Sequence, residues 1–368
     1  IVQVNRAHST DRRPDPWRAH RARVAICSSV ASILCQTRWL SRGCPHDCDF
    51  CYVGSFFQGG NSFYTQAVDE ALAEIERLPG RHIHFLDDNL FGNPHFAAAL
   101  FEGMRGMGRL CQAAATVQSV VRSDLVEKAA ACGLRNLFVG FETLSPTNLA
   151  AQHKYHNLKA DYATAIRRLH DLGTMVNGSF VFGMDDDDTT AFDPTVDWAI
   201  EQGIETAKFH VLTRYPGTAL YRRMAVAGRI TTDNWNQYDT RHAVFQPSRM
   251  TAAQLEQGYW HAYDQFCRWP SIVRSAWVQD ERAERLRHLA YVGGWKKFEP
   301  LWDVMIRAKR MGNLLLVLES VLVGIGGKDA GEDRLRKQVR SIPAAVWFHL
   351  TGDDVWDTDH IGAVDTLE

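Results

Sequence analysis

Asp161-Tyr-Ala-Thr-Ala-Ile-Arg-Arg-Leu-His-Asp-Leu-Gly173, followed by Met175-Val-Asn-Gly-Ser-Phe-Val-Phe182, is the stretch that decides the fold. Its first part reads as an amphipathic helix from Asp161 to Leu172, closed by Gly173; its second reads as a strand. The same alternation extends in both directions. Towards the N-terminus lie a strand at Asn136–Phe141 ending in Glu142, a helix capped by Ser123 and ending at Gly133, and a strand at Ala113–Val117. Before them come a helix opened by Asn93-Pro94, a strand at His82–Leu86, a helix from Thr65 to Pro79-Gly80, and a strand at Ile33–Trp39. Towards the C-terminus, Asp193-Pro194 opens a helix that stops near Gly203. Ala207–Leu212 is the next strand, and Thr218–Ala227 a helix closed by Gly228. Successive strand–helix units imply an α/β fold with a parallel sheet, right-handed crossovers and chemistry at the C-terminal strand ends.

Composition narrows the class. The 368 residues have room for one large α/β domain and a smaller appendage, and 45% hydrophobic with 23% charged residues is globular. A net charge of −2 argues against nucleic acid as a partner. The longest apolar run, Leu314–Val323, is broken by Glu319 and Ser320 and is too short for a transmembrane segment. Eight cysteines without a regular pairing framework or a signal peptide point to a reducing cytoplasm.

Three of those cysteines lie in Gly43-Cys44-Pro-His-Asp-Cys48-Asp-Phe-Cys51-Tyr52, spaced C-x3-C-x2-C, directly after the first strand. An iron–sulfur cube usually takes four thiolates, so three leave one iron open for a ligand. A structural zinc site would want a fourth ligand, and His46 is too close to Cys44 to supply it comfortably. The motif and its placement resemble the radical S-adenosylmethionine (SAM) superfamily.

That resemblance implies a partial (β/α)6 TIM-like barrel, with a mostly helical C-terminal extension in this chain. It also implies a [4Fe-4S] cluster held by Cys44, Cys48 and Cys51. The open iron would bind the amino and carboxylate groups of SAM; reduction would release methionine and a 5′-deoxyadenosyl radical. Phe50 and Tyr52 would lie beside the adenine. After the second strand the family's glycine-rich motif is replaced by Asp87-Asp88-Asn89, where Asp87 or Asp88 could accept from the SAM ammonium or simply turn the chain. Glu142 would meet the SAM ribose or amino group; a lone carboxylate there needs a partner. Ser179 and Gly183 flank a strand end that would approach adenine. The acidic run Asp185–Asp188 reads as a solvated loop.

Outer segments resemble the cobalamin-associated branch of the superfamily, which includes methylases and an oxidative cyclase: Phe85–Asn89, Val139–Thr143, Ser179–Gly183, Tyr215–Thr218 and Trp235–His242. Arg214 stands where that branch often has proline; it reads either as a cation for a substrate carboxylate or phosphate, or as a surface residue. His242 is an acid–base candidate or a packed residue. The expected division is a tail at 1–32, the barrel at 33–232, an aromatic-rich helical region at 233–350 and an acidic tail at 351–368. A cobalamin domain needs on the order of 100 residues, more than the stretch before the first strand supplies, so either cobalamin binds through a domain not present in this chain or the protein lacks that domain. The expected partners are a small-molecule substrate and a reductant such as flavodoxin or ferredoxin. Cobalamin-independent oxidation or rearrangement, and a non-catalytic iron–sulfur or zinc protein, are the alternatives.

Overall fold

The computed structural model describes residues 36–56, 63–122 and 124–307. Its strands are β1 (Gln36–Arg38), β2 (Ser41–Arg42), β3 (Tyr64–Thr65), β4 (His82–Phe85), β5 (Leu110–Thr116), β6 (Leu134–Glu142), β7 (Met175–Phe182) and β8 (Thr206–Val211). Six form one sheet in the order β1-β4-β5-β6-β7-β8, every neighbouring pair parallel. The order follows the chain, as right-handed strand–helix units require, and β1 and β8 are left as edges. This is the open barrel expected.

Alternation along the strands separates two faces. Ile83, Phe85, Ala113, Leu137, Val139, Phe141, Phe180 and Phe209 are buried against the helices and form the main core. Rings of adjacent strands stack there: Phe141 on Phe180 at 5.6 Å, Phe180 on Phe209 at 5.7 Å, and Phe209 on Phe182 at 5.6 Å. The opposite, inner face carries Thr37, His84, Gln112 and Asn136 in one row of partners, and Thr116, Gly140, Ser179 and Lys208 in another. A closed barrel fills this space with apolar layers; here the inner face is mostly polar.

Helix boundaries follow local chemistry. Asn93 caps helix 94–103 by accepting from His95 and Phe96 N–H, Asp161 caps helix 162–171, and Thr218 caps helix 219–226. Thr251 and Gln254 form a capping box for helix 252–267. Three expectations need correction. The helix expected from Thr65 begins at Val68, because Thr65 pairs with Ser41 in the small β2–β3 ribbon. A helix at Val117–Arg122 intervenes after β5, started where Thr116 Oγ1 accepts from Ser119 N–H; Val117 had read as the end of the strand. The helix after β7 starts at Phe192, before the Asp193-Pro194 pair. The start of the first expected strand, the Ser123 cap, the 1–32 tail and everything from 308 onward lie outside the described residues.

The edge strand β8 is covered. Tyr263, on helix 252–267, accepts from Phe209 N–H through its hydroxyl and donates to Phe209 C=O, and Val211 N–H reaches Thr240 C=O at 2.7 Å. Helices 269–276 and 282–307 continue the helical extension. Among the described residues no helix is long and apolar enough to cross a membrane.

Candidate active site

The cysteine loop leaves the C-terminal end of β1 and is tied down by Asp49. Asp49 N–H donates to Gln152 C=O at 3.1 Å, and its own carbonyl accepts from Leu220 N–H at 3.0 Å. Its carboxylate takes His153 Nδ1 at 2.6 Å and the Arg223 guanidinium. Burial is the largest influence on this carboxyl and pushes its pKa up, but hydrogen bonds from His153 and Arg223 together outweigh it and hold the group below the usual range. One residue inside the cysteine motif thus links the first unit of the barrel to the loop after β6 and to helix 219–226.

Cys48 is buried, whereas Cys44 and Cys51 are partly accessible. Burial pushes the Cys48 thiol up to about 12 and Cys51 up to about 11, and the thiols raise one another further. Asn89 Nδ2 points at Cys44 Sγ from 3.8 Å. Among the described residues, no three His, Cys, Asp or Glu side chains converge as a single-ion site would require. The donor set is three thiols on one loop, beside a buried ammonium that offsets thiolate charge. Such a set fits a cluster whose irons take one thiolate each better than it fits one tetrahedral ion.

That ammonium belongs to Lys154, which sequence reading missed. Its Nζ lies 2.5 Å from Glu142 Oε1, with both side chains nearly enclosed, and 5.9 Å from the Phe50 ring centre. Burial is the strongest single influence on Lys154 and works against its charge. Glu142 and the thiols of Cys48 and Cys51 outweigh it, so the pKa stands above the ordinary lysine value. Glu142 is aimed by a bulge: the pairing steps from Gly140↔Ser179 to Glu142↔Phe180, leaving Phe141 as the extra residue. Glu142 then takes φ 66°, a left-handed conformation rare outside glycine. Its carboxylate folds back over Gly140, where any added Cβ would strike it.

The remaining candidates fall into place unevenly. Asp87 is buried and accepts from Leu40 N–H at 3.0 Å, Ser41 N–H and Ser41 Oγ, so it turns the chain after β1. Asp88 is exposed and close enough to Cys44 and Cys51 to raise their thiol pKa values. Phe50 packs on the core, and Tyr52 is half exposed with its edge on Tyr215 at 5.8 Å. Ser179 is buried. At Gly183, φ 95° and Leu255 crowding the Cβ position account for the glycine by packing. A cleft of about 220 Å³ opens beside Glu142, lined by Thr143, Ser145, Val181, Asp186 and Thr190.

Arg214 and His242 require correction. Arg214 is fully buried, stacked over Tyr238 with Nη2 3.0 Å from its hydroxyl, so it is no surface residue. His242 is exposed and bonded through Nδ1 to Asp239 at 3.0 Å, so it is not packed in the core. The acidic run is engaged rather than simply solvated: Asp185 pairs with Arg229, Asp186 with Arg249, and Asp187 accepts from Gly183 and Met184 N–H.

A sheet with its chemistry-bearing loops at the C-terminal strand ends, and three thiols on the first of them, defines the class. Residues 40–199 match the family model described as Radical SAM superfamily. It is similar to bacteriochlorophyllide d C-12(1)-methyltransferase of Chlorobaculum tepidum, 30% identical over 60% of this chain and 48% of the relative. It is also similar to hopanoid C-2 methylase of Rhodopseudomonas palustris, 26% identical over 53% of this chain and 38% of the relative. The chain thus spans about half the length or less of these curated relatives. Among solved structures, the cobalamin-dependent SAM radical enzyme OxsB, with aqua-cobalamin and SAM bound, shares the fold at a TM-score of 0.50. That match has 14% identity and covers 83% of this chain and 57% of OxsB.

Proposed function

We propose that this chain is the radical-generating core of an enzyme that reductively cleaves SAM at a [4Fe-4S] cluster to activate a C–H bond, in the methylase branch that works with cobalamin. The observation that carries the reading is the convergence of the three-thiol loop, Glu142 and Lys154 at one end of an open parallel barrel. When bound, the reduced cluster supplies an electron to the SAM sulfonium, yielding methionine and the 5′-deoxyadenosyl radical. Cys44, Cys48 and Cys51 hold the cluster and leave one iron position for SAM. Glu142 and Asp88 receive the amino or ribose groups of SAM, and Phe50, Tyr52 and Ser179 border its adenine. The polar inner face of the sheet receives a small-molecule substrate; Arg214, bonded to Tyr238, stiffens the loop after β8. The barrel at 33–232 is the catalytic unit, followed by an aromatic-rich helical region at 233–350; a flavodoxin or ferredoxin in the cytoplasm is the reductant. The names of the two curated relatives support methylation.

The test is anaerobic reconstitution followed by iron and sulfide analysis, then incubation with SAM and dithionite. Near four irons per chain and release of 5′-deoxyadenosine are expected. Stoichiometric zinc without iron would sink the reading in favour of a structural metal protein.

A further inference from the structure

The ion pair of Lys154 with Glu142 is unusual in its setting. Replacing a buried ion pair by apolar residues is often neutral or stabilising, so burial of an ammonium here is poorly explained by stability alone. What surrounds it is specific. The thiols of Cys48 and Cys51 and the imidazoles of His46 and His156, stacked at 3.9 Å, all lie within its electrostatic reach. The backbone is equally specific. Lys154 follows His153, which takes φ 52°, and its N–H donates to Leu149 C=O at 2.9 Å. His153 and Gln152 both grip Asp49 of the cysteine loop. The position of the ammonium is therefore locked to the loop that carries the thiols on one side, and to the end of β6 on the other.

We propose that Lys154 is the positioning residue of the cluster site: its ammonium holds the Glu142 carboxylate over Gly140 and raises the reduction potential of the cluster that the cysteines bind. The inference rests on the cluster reading above. A cube with three thiolates is anionic overall, and reduction adds another negative charge. A cation enclosed beside it, where screening by water is weak, favours the reduced state. Glu142 opposes this when unpaired and is neutralised by the pair. The two groups thus make a matched set: one to receive SAM, the other to keep a buried carboxylate from making the cluster harder to reduce.

The experiment compares reconstituted wild type, Lys154→Arg, Lys154→Met, Glu142→Gln and the double variant Glu142→Gln/Lys154→Met. It reads iron content, midpoint potential by EPR-monitored titration, and equilibrium SAM binding. The expected order of potentials, from most positive, is Glu142→Gln, then wild type with Lys154→Arg and the double variant, then Lys154→Met. SAM binding should weaken by about tenfold or more in Lys154→Met, as a charge-assisted contact loses its orientation, and stay near wild type in Lys154→Arg. Should Lys154→Met fail to fold, Glu142→Gln against the double variant isolates the same charge without leaving a carboxylate unpaired. Equal potentials in that comparison, or a Lys154→Arg potential as low as that of Lys154→Met, would overturn the proposal. Wild type without iron would instead overturn the cluster reading itself.

Discussion

At the scale of single residues, thiols and imidazoles give the sharpest predictions. Cys44→Ala, Cys48→Ala and Cys51→Ala should each abolish stable iron binding, whereas Cys111→Ala, in the β5 core, should retain it and lose only some stability. Iron content of the four purified variants decides this. His84 and His210 lie on the inner face, and burial followed by the charge of Lys208 pushes each down to about 4. A histidine depressed in the folded state binds its proton more readily when unfolded, so stability rises with pH between the two values. The stability each contributes is complete above about pH 6.5 and is lost as pH falls towards 4, at most about 3 kcal/mol per group. Chemical denaturation at pH 7.5 and 5 should show this loss, and His210→Gln should flatten the slope. An unchanged slope would mean that the imidazole is solvated.

Two elements govern the geometry of the site. The β6 bulge sets Glu142 back over Gly140, where an added methyl would meet the Glu142 carboxylate and, at 3.3 Å, Lys154 Nζ. Gly140→Ala should therefore cost about 1–3 kcal/mol by overpacking and weaken SAM binding while the cysteines still take up iron. Retained SAM affinity would place the nucleoside elsewhere. The second element is the cysteine loop, whose Asp49 carboxylate is enclosed while its partners Arg223 and His153 are about half exposed. Asp49→Asn should cost on the order of 1–3 kcal/mol through lost charge-assisted hydrogen bonds, and the reconstituted cluster should be lost faster to a chelator. Cluster lifetime equal to wild type would show that the loop holds its shape without Asp49.

At the scale of the whole molecule, an open six-stranded sheet leaves its inner face polar and ends in two edge strands, β1 and β8. The C-terminal extension answers the second problem by covering β8 with Tyr263.

The amino-acid sequence by itself determined what is written locally. Periodicity of 3.6 and 2 separated helix from strand, the Asn93-Pro94 pair placed one helix start, and the cysteine spacing placed the site after the first strand. Even the need of Glu142 for a partner was legible, because a carboxylate at the end of an apolar strand must be compensated. Its partner was not legible. Lys154 sits among polar residues with no pattern of its own, and reaches Glu142 only because His153 turns left-handed and Asp49 anchors that turn. The burial of Arg214, the commitment of Asp87 to the backbone and the packing role of Gly183 were settled in the same way. Each depends on residues tens of positions away, and such contacts exist only once the sheet has brought the strand ends together.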